Sequence, residues 1–278
     1  MISNYYKYNE IEYVEDILQK GFLTNHIYTE MCLLVLYYRD FLKYKPKQRK
    51  EALTKFCEER WPDYCPEVHY IMINRALRIA DKHVRLVSVG YVNVFQKDLD
   101  VIDSFPVSHD HKKLLFTILV SLRLDRYYRM LKFDKEYTSN IFYGTDSVMR
   151  NIRKLTCLSS SKDLNLTMIP DLVDAGAITP LHRGRLYLNY MDACAEPDDC
   201  VLEVTCYDNI GLYYDLYKKV KGVALCGDCG KPFKKNSNRQ MRCPDCRERA
   251  DRETYNKYLR EYMRKYRAKP QVVNDLES

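Results

Sequence analysis

Cys226-Gly-Asp-Cys229 and Cys243-Pro-Asp-Cys246 are the residues of this chain whose type and spacing most directly imply chemistry. Each Cys-x-x-Cys turn can aim two thiolates at one ion, and the 13 residues between the pairs let a loop bring the second pair back to the first. Gly227, Gly230 and Pro244 stand where such knuckles turn tightly, and Phe233 supplies an apolar plug for a core too small to fold without metal. The pattern predicts a structural Zn2+ held by Cys226, Cys229, Cys243 and Cys246. A redox pair or four unligated thiols are the rival readings, and two matched pairs at this spacing fit them less well. Four thiolates close a tetrahedral sphere and leave no position for water, which argues against a catalytic ion.

The surroundings of the cysteines are strongly cationic. Residues 218–270 hold 17 Lys and Arg against six Asp and Glu, a balance of +11, so the rest of a chain whose net charge is +7 carries −4. A tetrathiolate zinc subtracts two charges and leaves the segment positive, which implies a polyanionic partner. Lys231, Lys234, Lys235, Arg239 and Arg242 on the loop, with Arg247 and Arg249 just beyond, are candidate phosphate contacts, and DNA is favoured over RNA. From about residue 247 to 269 the pattern is one basic amphipathic helix. Tyr255, Leu259, Tyr262 and Tyr266 recur at helical spacing, while Arg252, Lys257, Arg260, Arg264, Lys265 and Arg267 fill the remaining surface. Two readings stay open: the helix follows nucleic acid, or its tyrosine stripe packs on a protein or a second copy while the charges are solvated.

Upstream, the chain must supply a scaffold. With 278 residues, 46% hydrophobic content, 25 tyrosines and few glycines, it reads as globular and mainly α. Asn9-x-x-Glu12 is a capping-box pattern for a helix that ends before Gly21, and further helices are expected over residues 27–44, 47–60 and 66–82. Residues 84–89 and 91–95 are β-branched and are expected to pair across Gly90. Cys57, Cys65, His69 and His83 match no compact ligand motif, and His109-Asp110-His111 follows Ser108, a plausible N-cap, so these read as structural.

Helices over 111–129, 147–155 and from a Ser159-Ser160-Ser161 cluster to Gly176, followed by a hairpin with Gly184 at its tip, suggest a winged helix. Pro170 should kink the third helix or shift its start. That helix holds Lys162 against Asp163, Asp171 and Asp174, so phosphate repels it. The cations lie beside it, at Arg150, Arg153 and Lys154 and on the hairpin at Arg183 and Arg185, and packing or partner contact is the better use of this region. The expected organisation is a helical domain over 1–105, a winged-helix-like domain over 106–207, a linker and zinc ribbon over 208–248, and a basic helix and tail over 249–278.

No segment reaches membrane-spanning length, the N-terminus lacks an apolar leader, and the seven other cysteines suit reduced thiols, so a cytoplasmic protein without a membrane partner is expected. There is no Gly-rich phosphate loop, no His-Glu-x-x-His and no nucleophile elbow, which argues against an enzyme. In its layout, and most specifically in the ribbon and the Arg- and Tyr-rich tail, the chain resembles a little-characterised family carried by phages and integrated elements of low-GC Gram-positive bacteria. The cysteine segment also looks like the zinc fingers of CGNR-type regulators but lacks their Cys-Gly-Asn-Arg run. The resemblance implies a mobile-element setting and no activity. The expected function is non-catalytic nucleic-acid binding, regulatory or accessory. The alternative is a phage-encoded interaction module that binds and inhibits a host or defence protein.

Overall fold

The computed structural model describes residues 4–159, 163–193 and 199–267. The expected helix start at residues 159–161 and the helix end at Lys269 fall wholly or partly outside them. The fold is mainly α, and the chain divides into two compact units, Met1–Tyr214 and Asp215–Ser278.

The first unit begins with α1 (Asn4–Tyr8), α2 (Glu10–Lys20), α3 (Ile27–Asp40), α4 (Pro46–Arg60) and α5 (Pro66–Leu77), with a 3-10 turn over Arg78–Asp81. Val14, Ile17, Met31, Leu34, Val35 and Leu53 are fully buried, because their three- and four-residue spacing places them on the inward faces of α2, α3 and α4. Glu30 is buried with them. It is tolerated because its carboxylate accepts from Tyr13 Oη and Thr24 Oγ1, both at 2.6 Å, and from the Leu23 N–H at 2.9 Å. The capping box at Asn9 does not form, since Asn9 Oδ1 accepts from Ser88 Oγ at 2.9 Å. Helix α3 stops at Asp40, short of the expected Tyr44, and the chain leaves through Lys43 at φ 56°.

Strand β1 (Val92–Phe95) corrects the expected local pairing: its partner is β5 (Cys200–Val204), antiparallel, with Val94 opposite Leu202. Residues 84–89 stay largely irregular and cross to α2, where Val87 N–H donates to Glu10 Oε2 at 3.2 Å. Helix α6 (Gln96–Ser104) then packs on the long α7 (His109–Phe133). The two are locked by Asp98, which is 1% exposed and faces a forked guanidinium from Arg123, with Nη2 2.7 Å from Oδ1. The stretches before and after residue 105 are thus joined by a shared sheet and a buried ion pair.

Next come β2 (Ile141–Tyr143), α8 (Asp146–Thr156), a π-turn over Leu164–Met168 running into α9 (Ile169–Asp174), and the hairpin β3 (Ile178–Leu181) and β4 (Arg185–Leu188). The sheet order is β2-β4-β3, all antiparallel. Pro170 shifts the helix start as expected. It has no N–H to give Leu166, so the turn before it widens, and Asp163 Oδ1 caps that turn by accepting from Asn165 and Leu166 N–H. The hairpin turns through a 3-10 segment with Gly184 at φ 67°. Helix α10 (Tyr190–Ala193) follows, and Gly211 opens α11 (Gly211–Tyr217) where a Cβ would come 2.4 Å from Thr156 O.

The second unit contains β6 (Val223–Leu225), β7 (Pro232–Lys234) and α12 (Pro244–Arg267). Among the described residues, no helix is long and apolar enough to cross a membrane.

Candidate metal centre

Hairpin β6-β7 places the first knuckle. Ala224 pairs with Phe233, and the turn between the strands is closed by Cys226 N–H to Lys231 O and Gly230 N–H to Cys226 O, each 2.9 Å. Gly230 takes φ 68°, the left-handed conformation this return needs. The second knuckle is the first turn of α12, entered by Pro244, whose fixed φ and missing N–H suit that position. Arg247 N–H donates to Cys243 O at 3.0 Å, and Gly227 N–H reaches across to Met241 O at 2.9 Å, tying one knuckle to the other.

The four sulfurs all lie within 4.8 Å of one another, and Cys229 Sγ and Cys243 Sγ are 3.7 Å apart. A tetrahedral ion with bonds of about 2.3 Å needs sulfur–sulfur edges of about 3.8 Å, so the donor set fits a thiophilic divalent metal. The core around it is Cys226, Cys243, Cys246 and Phe233, with Ala224 half-covered beside them. Sulfur atoms thus occupy the place where a larger domain would put side-chain carbons. Among the described residues this is the group of His, Cys, Asp and Glu that converges in ligand geometry; Cys57, Cys65, His69 and His83 do not. His69 instead accepts the Cys65 N–H at 3.0 Å and packs its ring 4.2 Å from that of Trp61.

The electrostatics show what the cage lacks by itself. Burial raises the Cys226 thiol, but N–H groups of Cys243, Cys229 and Asp228 outweigh it and favour the thiolate. The neighbouring sulfurs push Cys246 the other way, and burial pushes Cys243 up. Four thiolates this close repel one another, and a divalent cation at their centre reverses that repulsion. The residues present could therefore hold a metal ion.

The basic residues predicted around the centre are distributed unequally. Lys234, Arg239, Arg242, Arg247 and Arg249 are exposed, whereas Lys231 and Lys235 are half-buried. Arg242 has its own partner, Asp228, at 2.9 Å, which reduces its availability to phosphate. The connecting loop is stapled by Gln240, which accepts Asn236 N–H at 2.8 Å and donates to Arg242 O at 3.0 Å. Asp228 fills a variable position of the first knuckle and Gln240 lies outside both, so sequence patterning could not single them out. Arg183 and Arg185 lie in the first unit, on the β3-β4 turn; Arg183 is exposed and Arg185 Nε donates to His182 O at 3.1 Å.

Beyond Ala250, residues 251–264 of α12 are all exposed. Tyr255, Tyr258, Leu259, Tyr262 and Met263 therefore form an uncovered stripe, with Tyr258 and Tyr262 stacked at 6.4 Å. Ion pairs along the helix, such as Arg252 with Glu248 at 2.8 Å, join exposed side chains and contribute little. The side chain of Tyr266 lies outside the described residues.

His111 does more than decorate a helix start. It links Ser108 Oγ, 2.7 Å from Nδ1, to Asp171 Oδ2, 3.0 Å from Nε2, and so ties α9 to α7. The order Ser-His-Asp resembles a hydrolase relay, yet Ser108 is exposed at the helix entry.

Compared with protein-family models, curated proteins and solved structures, the chain matches none.

Proposed function

We propose that this chain is a non-catalytic nucleic-acid-binding protein whose cysteine cage takes a structural Zn2+, with regulatory or accessory work in a phage or mobile element as its setting. The observation that carries the reading is the second unit itself, where a sulfur-centred core orders a basic loop and launches a basic helix with every residue from 251 to 264 exposed. Zinc would fix the loop that presents Lys234 and Arg239, and its binding energy would be folding energy for this segment. Phosphate neutralisation then supplies affinity without base reading. In the first unit, the order α7, β2, α8, α9 and the β3-β4 hairpin, with sheet order β2-β4-β3, supports a winged helix. Helix α9, with Asp171 and Asp174, is a poor reader of DNA, so this module is assigned to packing or partner contact. The mobile-element setting rests on the sequence resemblance alone.

The uncovered tyrosine stripe of α12 favours a second reading, in which the helix is a protein-docking or self-association surface of a phage-encoded factor that inhibits a host or defence protein. Fluorescence anisotropy of the full chain with duplex DNA and with single-stranded RNA at low salt separates the two. Binding to either polymer supports the first reading, and binding to neither leaves the protein-docking surface.

A further inference from the structure

Outside the metal-bearing unit, one buried charge lacks a counterpart. Arg49, on the first turns of α4, is nine-tenths buried, with 9% of its surface exposed, yet its guanidinium meets no carboxylate, carbonyl or hydroxyl among the described residues. Among the described residues, the sealed and unpartnered side-chain polar atoms are Asn93 Oδ1, Ser121 Oγ, Arg126 Nε and Arg153 Nε. No nitrogen of Arg49 is among them. Its guanidinium therefore keeps an opening, and that opening is a cavity of about 690 Å3 between the start of α4 and the end of α5, which Arg49 lines.

The rest of the cavity has the same sign. Lys50, Arg75 and Arg78 line it with Arg49, against a single carboxylate, Asp81, which pairs with none of them. Pro46 brings the first turn of α4 to the rim, and with it the positive end of a 15-residue helix. Four cations lining one concavity repel one another, and an anion in the cavity relieves that repulsion. One wall is different in kind: Tyr70 and Ile71 are 59% and 64% exposed, and Lys50 lies over the Tyr70 ring, 5.7 Å from its centroid.

We propose that the α4-α5 cavity is a binding site for a phosphate group of the nucleotide class. Arg49, Arg75 and Arg78 take the phosphate oxygens, and Tyr70 and Ile71 receive the base. The planar fork of an arginine matches phosphate oxygens pairwise, and the cavity volume falls within the range of small-ligand sites. The same chemistry arrives either on a free nucleotide or on a single strand of nucleic acid. The site does not depend on the second unit.

The test is calorimetric titration and thermal melting of the full zinc-loaded chain with adenosine monophosphate, with inorganic phosphate and with a short single-stranded oligothymidylate. Arg49→Met keeps the apolar stem and removes the charge, and Arg78→Gln changes an exposed position that the fold does not need. Adenosine monophosphate should bind, more tightly than inorganic phosphate, and each variant should weaken it roughly tenfold or more. If the oligonucleotide alone bound in an Arg49- and Arg78-dependent manner, the site would stand with a strand as its source. The proposal is overturned if no phosphate-bearing probe binds, or if both variants bind all three probes as the parent does. Neutralising Lys234, Lys235, Arg239 and Arg242 together should leave adenosine monophosphate binding unchanged, which keeps this site separate from the C-terminal one.

Discussion

Cys229 Sγ stands 3.7 Å from Cys243 Sγ although 13 residues separate the two in sequence. That contact is an edge of the tetrahedron a zinc ion needs, and between two thiolates without a cation it would be repulsive. The expected outcome is about one zinc per chain by elemental analysis. Cys229→Ser and Cys243→Ser should each reduce it well below the parent stoichiometry, and retention at the parent level in both would refute the assignment.

Removing the metal should loosen the second unit and leave the first alone. Among the described residues, Phe233 and the half-covered Ala224 support the sulfurs from the apolar side, whereas α2, α3 and α4 share an extensive hydrocarbon core. Hydrogen exchange with and without a chelator checks this. Protection should fall across residues 223–247 and persist across α3 and α7. Equal protection in β6 and β7 under both conditions would mean that packing, rather than metal, holds the ribbon.

Nucleic-acid affinity should be steeply salt-dependent. A footprint of about six phosphates loses roughly a thousandfold in affinity between low and physiological salt, because added salt makes the release of condensed counterions less favourable. Neutralising Lys234, Lys235, Arg239 and Arg242 together should weaken binding to every sequence alike and flatten the slope. Arg242 should contribute least of the four, because Asp228 already pairs with it at 2.9 Å. Neutralising Arg183 and Arg185 should matter less still. A loss of preference among sequences on that change would instead assign base reading to the β3-β4 hairpin.

Asp98 should be the costliest single carboxylate to remove from the first unit. It is 1% exposed and takes a fork from Arg123 as well as the Phe95 N–H at 2.8 Å. Asp98→Ala takes from the largely buried Arg123 guanidinium its carboxylate and leaves it the Asn93 carbonyl, 3.2 Å from Nη1, which should destabilise the chain by about 3 kcal/mol. Chemical denaturation measures it, and a change below about 1 kcal/mol would show that Arg123 finds another partner. Removing exposed Glu248, whose pair with Arg252 is open to water, should cost almost nothing by comparison.

What the sequence by itself determined is whatever depends on short-range spacing. Two Cys-x-x-Cys turns flanked by Gly and Pro specify a convergent thiol quartet, because three residues of separation confine each pair to one turn. The three- and four-residue periodicity of Met31, Leu34, Val35 and Tyr38 specifies an amphipathic helix in the same way, and Pro170 specifies a shifted helix start because it lacks an N–H. The tertiary structure decided the rest, where the partner lies far along the chain or follows no pattern. Strand β1 pairs with β5 more than a hundred residues away rather than with its neighbour across Gly90, since β-branched residues state a preference for a sheet but not for a partner. Asp228 claims Arg242, and Glu10 reaches Tyr128 Oη at 2.7 Å, by folding alone. Arg49 is the clearest case: as letters it is one more cation on a charged helix, and only the packing of α4 against α5 buries it without a counter-ion beside three others of its own sign. Net charge is additive along a chain, but the potential in a cavity depends on which side chains the fold turns toward it, and that is why a unit with an acidic sum can still present a site for an anion.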